Sequence, residues 1–561
     1  LMGWFDWEII WNQLVQAFSY NKLSPMIFTR FNFWGFFLIA YAIYAIIYKK
    51  IALRNGYLFL ISLFFYYKTS ELFFLLLLFS TVTDYYIGNA VFKSVSKKKR
   101  LWLVVLSVTI NLGVLVYFKY AYFFTESYNQ VFQTDYEVFN HLAHWSNEWL
   151  GTGFDINRII LPVGISFFTF QTISYTVDIY RERIEPVKNL VDFGFYVSFF
   201  PQLVAGPIVR ANEFVPQIYQ PYSISQRTFG LAVFLILNGL VKKMVLGDFI
   251  AVNFIDRVFD NPGMYTGFES VMALFGYSLQ VYCDFSGYTD IAIGVAMLMG
   301  FYLPTNFNSP YKAQSTSEFW GRWHISLSTW LKDYLYIPLG GNRRATWGTW
   351  ISLALILTVI ILLSGSVRLL FILGGIILFI FTLAQIFSGL KKKIIRDINL
   401  MITMLYGGLW HGASWNFIIW GGLNGFGVVW HKYWAKISPF KNKNGILVRI
   451  YAIGFTFIFI TFTRIFFRAR DLETVQQMWH SIQTNFQLGL AWEIMSNYKW
   501  VFIAMLFGFV IHWLPSKTKT WYQELFIKAP LPVKAIVAVV TVFIIIQFIS
   551  SDLQPFIYFQ F

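Results

Sequence analysis

The chain has 561 residues, of which 57% are hydrophobic, 21% aromatic and only 13% charged, a balance that excludes an ordinary soluble domain. Its formal charge of +16 is broken into short Lys/Arg clusters between apolar runs, which fits membrane topology and anionic headgroups and argues against a nucleic-acid partner. A single cysteine, Cys283, excludes an intramolecular disulfide and a multi-cysteine metal site.

Taken in chain order, the apolar runs predict membrane spans at 31–48, 56–67, 71–92, 101–123, 159–179, 229–251, 270–303 (with a break), 348–363, 367–388, 447–466, 499–514 and 533–550. With shorter pieces the count is about 11–14 embedded segments, so the expected fold class is an all-α polytopic integral membrane protein. The segment before the first span lacks a basic n-region, so no cleavable signal peptide is expected. Clusters at 49–54, 93–100, 181–188, 391–396 and 441–449 read as cytoplasmic. The 125–157 loop has five acidic residues and no Lys or Arg, and reads as external. Three apolar stretches interrupted by Pro, Gly and polar residues, 195–210, 304–341 and 398–434, are expected to fold inward and form the site, because irregular backbone survives at membrane depth only where protein or a cavity surrounds it. No internal repeat is apparent, which weighs against a transporter built from inverted halves.

Five stretches are more polar than their surroundings. FFPQLVAGPIVR at 199–210 carries Gln202 and Arg210. LQVYCDFSGYTDIAIG at 279–294 places Asp284, Ser286 and Asp290 among apolar neighbours; the two aspartates fall on roughly opposite helix faces unless Gly287 breaks the helix, and Cys283 reads as a packed thiol. At 302–344 extended chain turns into a predicted amphipathic helix capped by Ser315 or Thr316, with Arg322, His324, Lys332 and Asp333 beside Trp320, Trp323 and Trp330. Such a basic, Trp-rich helix belongs at the membrane interface. RIFFRARD at 464–471 is read as interfacial snorkelling.

The fifth stretch, LYGGLWHGASWNFIIWGG, holds His411. A titratable side chain at apparent membrane depth is by default a functional candidate. Gly407, Gly408 and Gly412 allow close approach of a backbone or ligand around Trp410 and His411. Burial favours the uncharged imidazole, which suits removal of a hydroxyl proton. Composition alone leaves packing and chemistry both open for this residue. His324 is the other histidine in a constrained polar setting, whereas His141, His144 and His480 fall in predicted loops and His431 and His512 near span ends, where solvation or packing accounts for them.

LWHGASWNF, FWGRWHISLSTWLKDYLYIPLGGNR, YCDFSGYTDIAIG, FPQLVAGPIVR, NFNSPYKA and the closing FIYFQF together resemble the membrane-bound O-acyltransferases, closest to the bacterial branch that O-acetylates alginate and other polysaccharides. The resemblance runs from about residue 160 to the end, and more loosely before it. It implies a helical bundle with re-entrant and interfacial segments around a central tunnel, in the bacterial cytoplasmic (inner) membrane. His411 corresponds to the family's catalytic histidine and His324 to its second signature histidine. Arg322, Trp323, Trp410, Asp284, Ser286, Asp290 and Asn306 are the expected substrate-binding residues.

The resemblance further implies an acetyl-thioester donor, acetyl-CoA or acetyl-acyl carrier protein, as cosubstrate, with no permanently bound cofactor and no metal. An extracytoplasmic SGNH-type acetyltransferase or a glycan acceptor, and membrane lipids, are the implied partners. Gly321 stands where relatives often carry a basic residue, which puts a donor-phosphate contact there in doubt. The interval between the two histidines is longer than the family pattern, because 347–388 adds two apolar runs.

One membrane-embedded domain is therefore expected over 1–561: N-terminal spans at 1–158, a core at 159–345, an inserted two-span hairpin at 346–390, and the His411 segment with the last spans at 391–561. The expected mechanism has Arg322, Lys332, Arg343 and Arg344 attracting donor phosphates, His411 as general base, and His324 orienting the donor or stabilising an oxyanion. D-alanyl or other acyl transfer, a lipid-linked glycan transporter or flippase, and a scaffold for an external transferase are the alternatives.

Overall fold

A computed structural model of the chain describes residues 18–21, 25–204, 206–441 and 445–548. The closing FIYFQF motif and the end of the predicted 533–550 span lie outside them. Every regular element among the described residues is helical. Six helical stretches are long and apolar enough to cross a membrane: Ile51–Lys93, Lys97–Phe132, Gln226–Asp260, Trp347–Ser364, Ile446–Arg468 and Leu531–Phe548. A seventh candidate, Leu488–Asn497 with Lys499–Trp513, is bent by 93°.

Fewer segments than the 11–14 expected pass a test of length and composition, for a physical reason. Helices wrapped by protein need no apolar face toward lipid. Gly267–Leu298 is the main case: it runs 32 residues without the break expected near Gly287. Gly287 is instead a contact point, since a Cβ there would sit 2.7 Å from the Gly239 carbonyl oxygen, and one on Gly239 would sit 2.5 Å from that of Gly287. Small residues thus let the Gln226–Leu240 and Gly267–Leu298 helices touch backbone to backbone.

Polar residues buried at this contact pair with one another. Lys243 bonds Asp284 and, at 2.7 Å, Asp248, while Lys242 reaches Asp290 at 2.7 Å with Asn238 on the same carboxylate oxygen. Both aspartates therefore face the same neighbouring element, because the lysines offered to them are consecutive on it.

Of the three stretches expected to fold inward, 195–210 is largely buried and irregular once the Leu190–Ser198 helix ends, with only a four-residue helix at Phe200–Leu203, whereas 304–341 is irregular only up to His324, mixes buried with exposed residues there, and is helical from Ile325 to Tyr336. The third is a correction. Residues 398–434 form a helical hairpin, Ser388–His411 and Trp415–Ile437, because Gly408 and Gly421 let the two arms pack without a backbone break. The amphipathic helix predicted after residue 315 is also corrected. Ser315 does cap a helix, Thr316–Trp320, but the chain then turns through His324 before Ile325–Leu331 begins, and Trp323 and Trp330 are buried rather than interfacial.

Arg464 is a third correction. It does not snorkel but lies buried, donating to the Tyr311 hydroxyl at 2.6 Å and stacking 4.7 Å from the Trp323 ring, while Arg468 pairs with Asp256 at 2.7 Å. His141 and His144 sit on the His141–Leu150 helix and His480 on Leu472–Thr484 rather than in loops. The added apolar runs form the Trp347–Ser364 and Val367–Ile386 helices. Basic segments meet at one end of the bundle, where Arg100 pairs with Glu182 at 2.6 Å and Arg181 donates to the Asp333 carbonyl at 3.1 Å.

Candidate active site

His411 is the last residue of the Ser388–His411 helix, and the turn after it is held on both sides. Ser414 accepts from the Asn416 backbone N–H, and the Asn416 amide donates to the Ala469 carbonyl at 3.0 Å, tying the turn to the end of Ile446–Arg468. The arms cross where a Cβ on Gly408 would lie 2.3 Å from the Phe417 carbonyl oxygen, so only glycine fits.

A helix end leaves carbonyls without intrahelical partners, and its partial negative charge favours a cation. Here Tyr120 donates to the Leu409 carbonyl at 2.8 Å, and the Lys119 ammonium donates to those of Trp410 at 2.7 Å and His411 at 3.4 Å. Neither residue was singled out from sequence. The available signal was a lone lysine inside the apolar 101–123 run.

The His411 ring is 2% exposed, with Trp410 and Trp420 each 4.9 Å away and Phe467 at 5.3 Å, all edge to face. His324 stands 6.4 Å away, centroid to centroid. Its backbone is left-handed (φ 44°), a conformation that histidine tolerates better than most non-glycine residues but that still costs about 1–3 kcal/mol. Asn306 fixes it there. The Asn306 side-chain oxygen accepts from the Ser326 backbone N–H at 3.1 Å and the Ser326 hydroxyl at 3.0 Å, and it faces His324 Nδ1 at 3.2 Å. A backbone N–H can only donate, so that Asn306 atom is the oxygen, and Nδ1 of His324 must carry a proton to bond it. In its neutral form His324 therefore presents Nε2 as an acceptor.

A cavity of about 430 Å³ reaches His411. It is lined by Leu400, Thr403, Met404, Gly407 and His411, one face of a helix, and at a rise of 1.5 Å per residue it runs about 16 Å along that helix. Thr329 and Lys332 at the outer end are exposed, and Lys432 adds a second cation. The depth and apolar walls suit a small acyl group carried on an extended arm, and the two lysines suit an anionic carrier.

Of the expected site residues, the fold brings His411, His324, Trp410 and Asn306 together. Of these only His411 lines the cavity, and the remaining expected residues lie elsewhere. Arg322 is engaged by Glu318 and by the Asn308 carbonyl. Trp323 packs on Arg464. Asp284 and Asp290 belong to the lysine network, and Ser286 is buried beside them. Among the described residues no group of three His, Cys, Asp or Glu side chains could hold a metal ion.

The sequence matches the profile described as MBOAT, membrane-bound O-acyltransferase family, over residues 57–394. The chain belongs to the membrane-bound O-acyltransferase family. This acyltransferase is a multi-pass membrane protein, and the match includes His324 and ends 17 residues before His411. Similar proteins include the peptidoglycan O-acetyltransferase of Helicobacter pylori, 33% identical over 475 residues, which are 80% of this chain and 76% of that protein. The probable alginate O-acetylase AlgI of Pseudomonas aeruginosa is 34% identical over 434 residues, 76% of this chain and 69% of that one. A teichoic acid D-alanyltransferase of Bacillus subtilis is 29% identical over 185 residues, 32% of this acyltransferase and 46% of that relative.

Proposed function

We propose that the protein transfers an acetyl group from a cytoplasmic thioester donor, acetyl-CoA or acetyl-acyl carrier protein, for O-acetylation of a cell-surface or exported polysaccharide. The acetyl group reaches the glycan through an extracytoplasmic SGNH-type partner, and the membrane is the bacterial inner membrane. The observation that carries the reading is the cavity that begins at Lys332 and Lys432 and ends on His411. The names of the Helicobacter and Pseudomonas relatives, which cover most of this chain, favour acetyl transfer to a glycan. D-alanyl transfer is the second reading, supported by a relative that aligns over a third of the chain.

In the proposed step His411 takes the proton of an acceptor hydroxyl, whose oxygen forms a bond to the thioester carbonyl carbon. The tetrahedral intermediate collapses with cleavage of the C–S bond, and the departing thiolate receives the proton from His411. Neutral His324 carries its proton on Nδ1, toward Asn306, and orients the donor through the adjoining His411 ring rather than by lining the cavity. This favours the orienting role over oxyanion stabilisation, which needs a donated proton.

Purified protein given labelled acetyl-thioester and polysaccharide fragments tests the reading. Loss of thioester with label appearing on a hydroxyl, of the glycan or of an added partner, supports it. Movement of a lipid-linked glycan without thioester loss refutes it in favour of a transporter.

A further inference from the structure

On a different face of the Trp415–Ile437 helix from His411 lies a second cavity of about 550 Å³ that the transfer reaction does not use. Its walls are Phe426, Trp430 and Trp434 from that helix and Tyr451, Phe455 and Phe459 from Ile446–Arg468. The lining residues Val448 to Phe459 extend over about 16 Å at 1.5 Å per residue, against about 15 Å for half of a 30 Å hydrocarbon core. The trough is thus one leaflet long.

Its ends differ in chemistry. Aromatic side chains run its whole length, with Phe426 and Phe459 beside Thr316 at one end, while the other end reaches Ser438 and Lys441, in the turn between the two helices. The chain from 398 to 470 contains no Asp or Glu, while Lys436, Lys441 and Arg449 are exposed around that turn. Glu318, the nearest acid in sequence to the third wall, is engaged by Arg322. That wall is Gln314, Ser315 and Thr316, and the buried Thr316 hydroxyl has no hydrogen-bond partner among the described residues. An elongated apolar slot with a cationic mouth, whose neighbouring acids Glu318 and Asp397 are each paired with an arginine, Arg322 and Arg396, is complementary to one occupant class.

We propose that this trough binds an anionic glycerophospholipid, with an acyl chain laid between the two helices and its phosphate at Lys441. The site is independent of the acetyl-transfer reading. It adjoins it, however, because Thr316 begins the Thr316–Trp320 helix, and Ser317 and Trp320 on that helix line the His411 cavity. A seated lipid braces one wall of the reaction cavity from behind.

The test is native mass spectrometry of the purified full chain in detergent, offered phosphatidylglycerol or phosphatidylcholine with the same acyl chains. Retention of phosphatidylglycerol in clear preference to phosphatidylcholine is expected. The preference should fall about fivefold for each lysine in Lys436→Gln and Lys441→Gln. Ala452→Trp, which fills the slot without touching the rim, should remove both lipids, and sn-glycerol 3-phosphate in excess should displace neither. Each variant is first shown to be monodisperse and to melt as the parent does. Equal retention of the two lipids by the parent protein overturns the proposal, as does unchanged phosphatidylglycerol retention in Ala452→Trp or in the double lysine variant. Displacement by glycerol phosphate alone also overturns it, in favour of a headgroup-only site.

Discussion

Replacing Lys119 by methionine keeps the volume of a long side chain but removes the ammonium that donates to the Trp410 and His411 carbonyls. A hydrogen bond from a charged donor contributes about 1.5–3 kcal/mol net. The 2.7 Å bond to Trp410 supplies most of this, and the 3.4 Å contact adds less. Because these carbonyls close the helix that ends on His411, the loss appears as misplacement of the imidazole in the transition state. At about 1.4 kcal/mol per decade, kcat should fall about 10- to 100-fold. Lys119 is not among the residues lining the cavity, so KM for the thioester should stay unchanged. Lys119→Arg, which keeps the charge, should restore most of the activity. Steady-state transfer by the purified variants reads both constants. A folded Lys119→Met enzyme with unchanged kcat, or one whose defect lies wholly in KM, refutes the positioning argument.

Further outcomes follow from other contacts. Gly408→Ala should lower the melting temperature of the purified protein, because the new methyl meets the Phe417 carbonyl and overpacking of this kind costs about 1–3 kcal/mol; an unchanged melt contradicts the close crossing. His324→Asn should keep the fold, since asparagine tolerates the left-handed backbone, yet lose most transfer; full activity would remove His324 from the mechanism. Asp471 caps the Leu472–Thr484 helix, and hydrogen bonds from the Thr474 backbone N–H and hydroxyl hold its carboxyl below the usual carboxylate range. Its folded pKa is depressed, so its contribution is present above the unfolded value of about 3.9 and is lost as pH falls through the folded value. Hydrogen-exchange protection in 472–484, measured relative to intrinsic exchange at each pH, should therefore fall at acid pH, and Asp471→Ala should abolish that loss of protection.

The membrane class and the family motifs were legible in the sequence, because each depends on residue type at short range. LWHGASWNF and RWHISLS name His411 and His324 directly, and the structure sets their rings 6.4 Å apart. Placement across the chain was harder to read. Asp284, Asp290 and Arg464 looked like cavity or interface residues, since a charge in an apolar run signals only that it needs a partner. The partners, Lys243, Lys242 and Tyr311, lie 41, 48 and 153 residues away. Lys119 was missed for the converse reason. One lysine in a clean span does not change its hydropathy, and its partners are backbone carbonyls almost 300 residues on, which no side-chain motif encodes. Helix breaks were also overcalled. Gly287, read as a break, serves contact between helices, as Gly408 does, and a single sequence does not separate a glycine that bends a helix from one that admits a neighbour.

The central claim is that His411 performs the chemistry at the inner end of the cavity. Its most direct test is thioester consumption by purified His411→Ala, with melting temperature and lipid content measured on the same sample. Loss of general-base catalysis should lower turnover by about 10²–10⁴-fold in a protein that melts as the parent does. Near-parental turnover in folded His411→Ala would contradict the account.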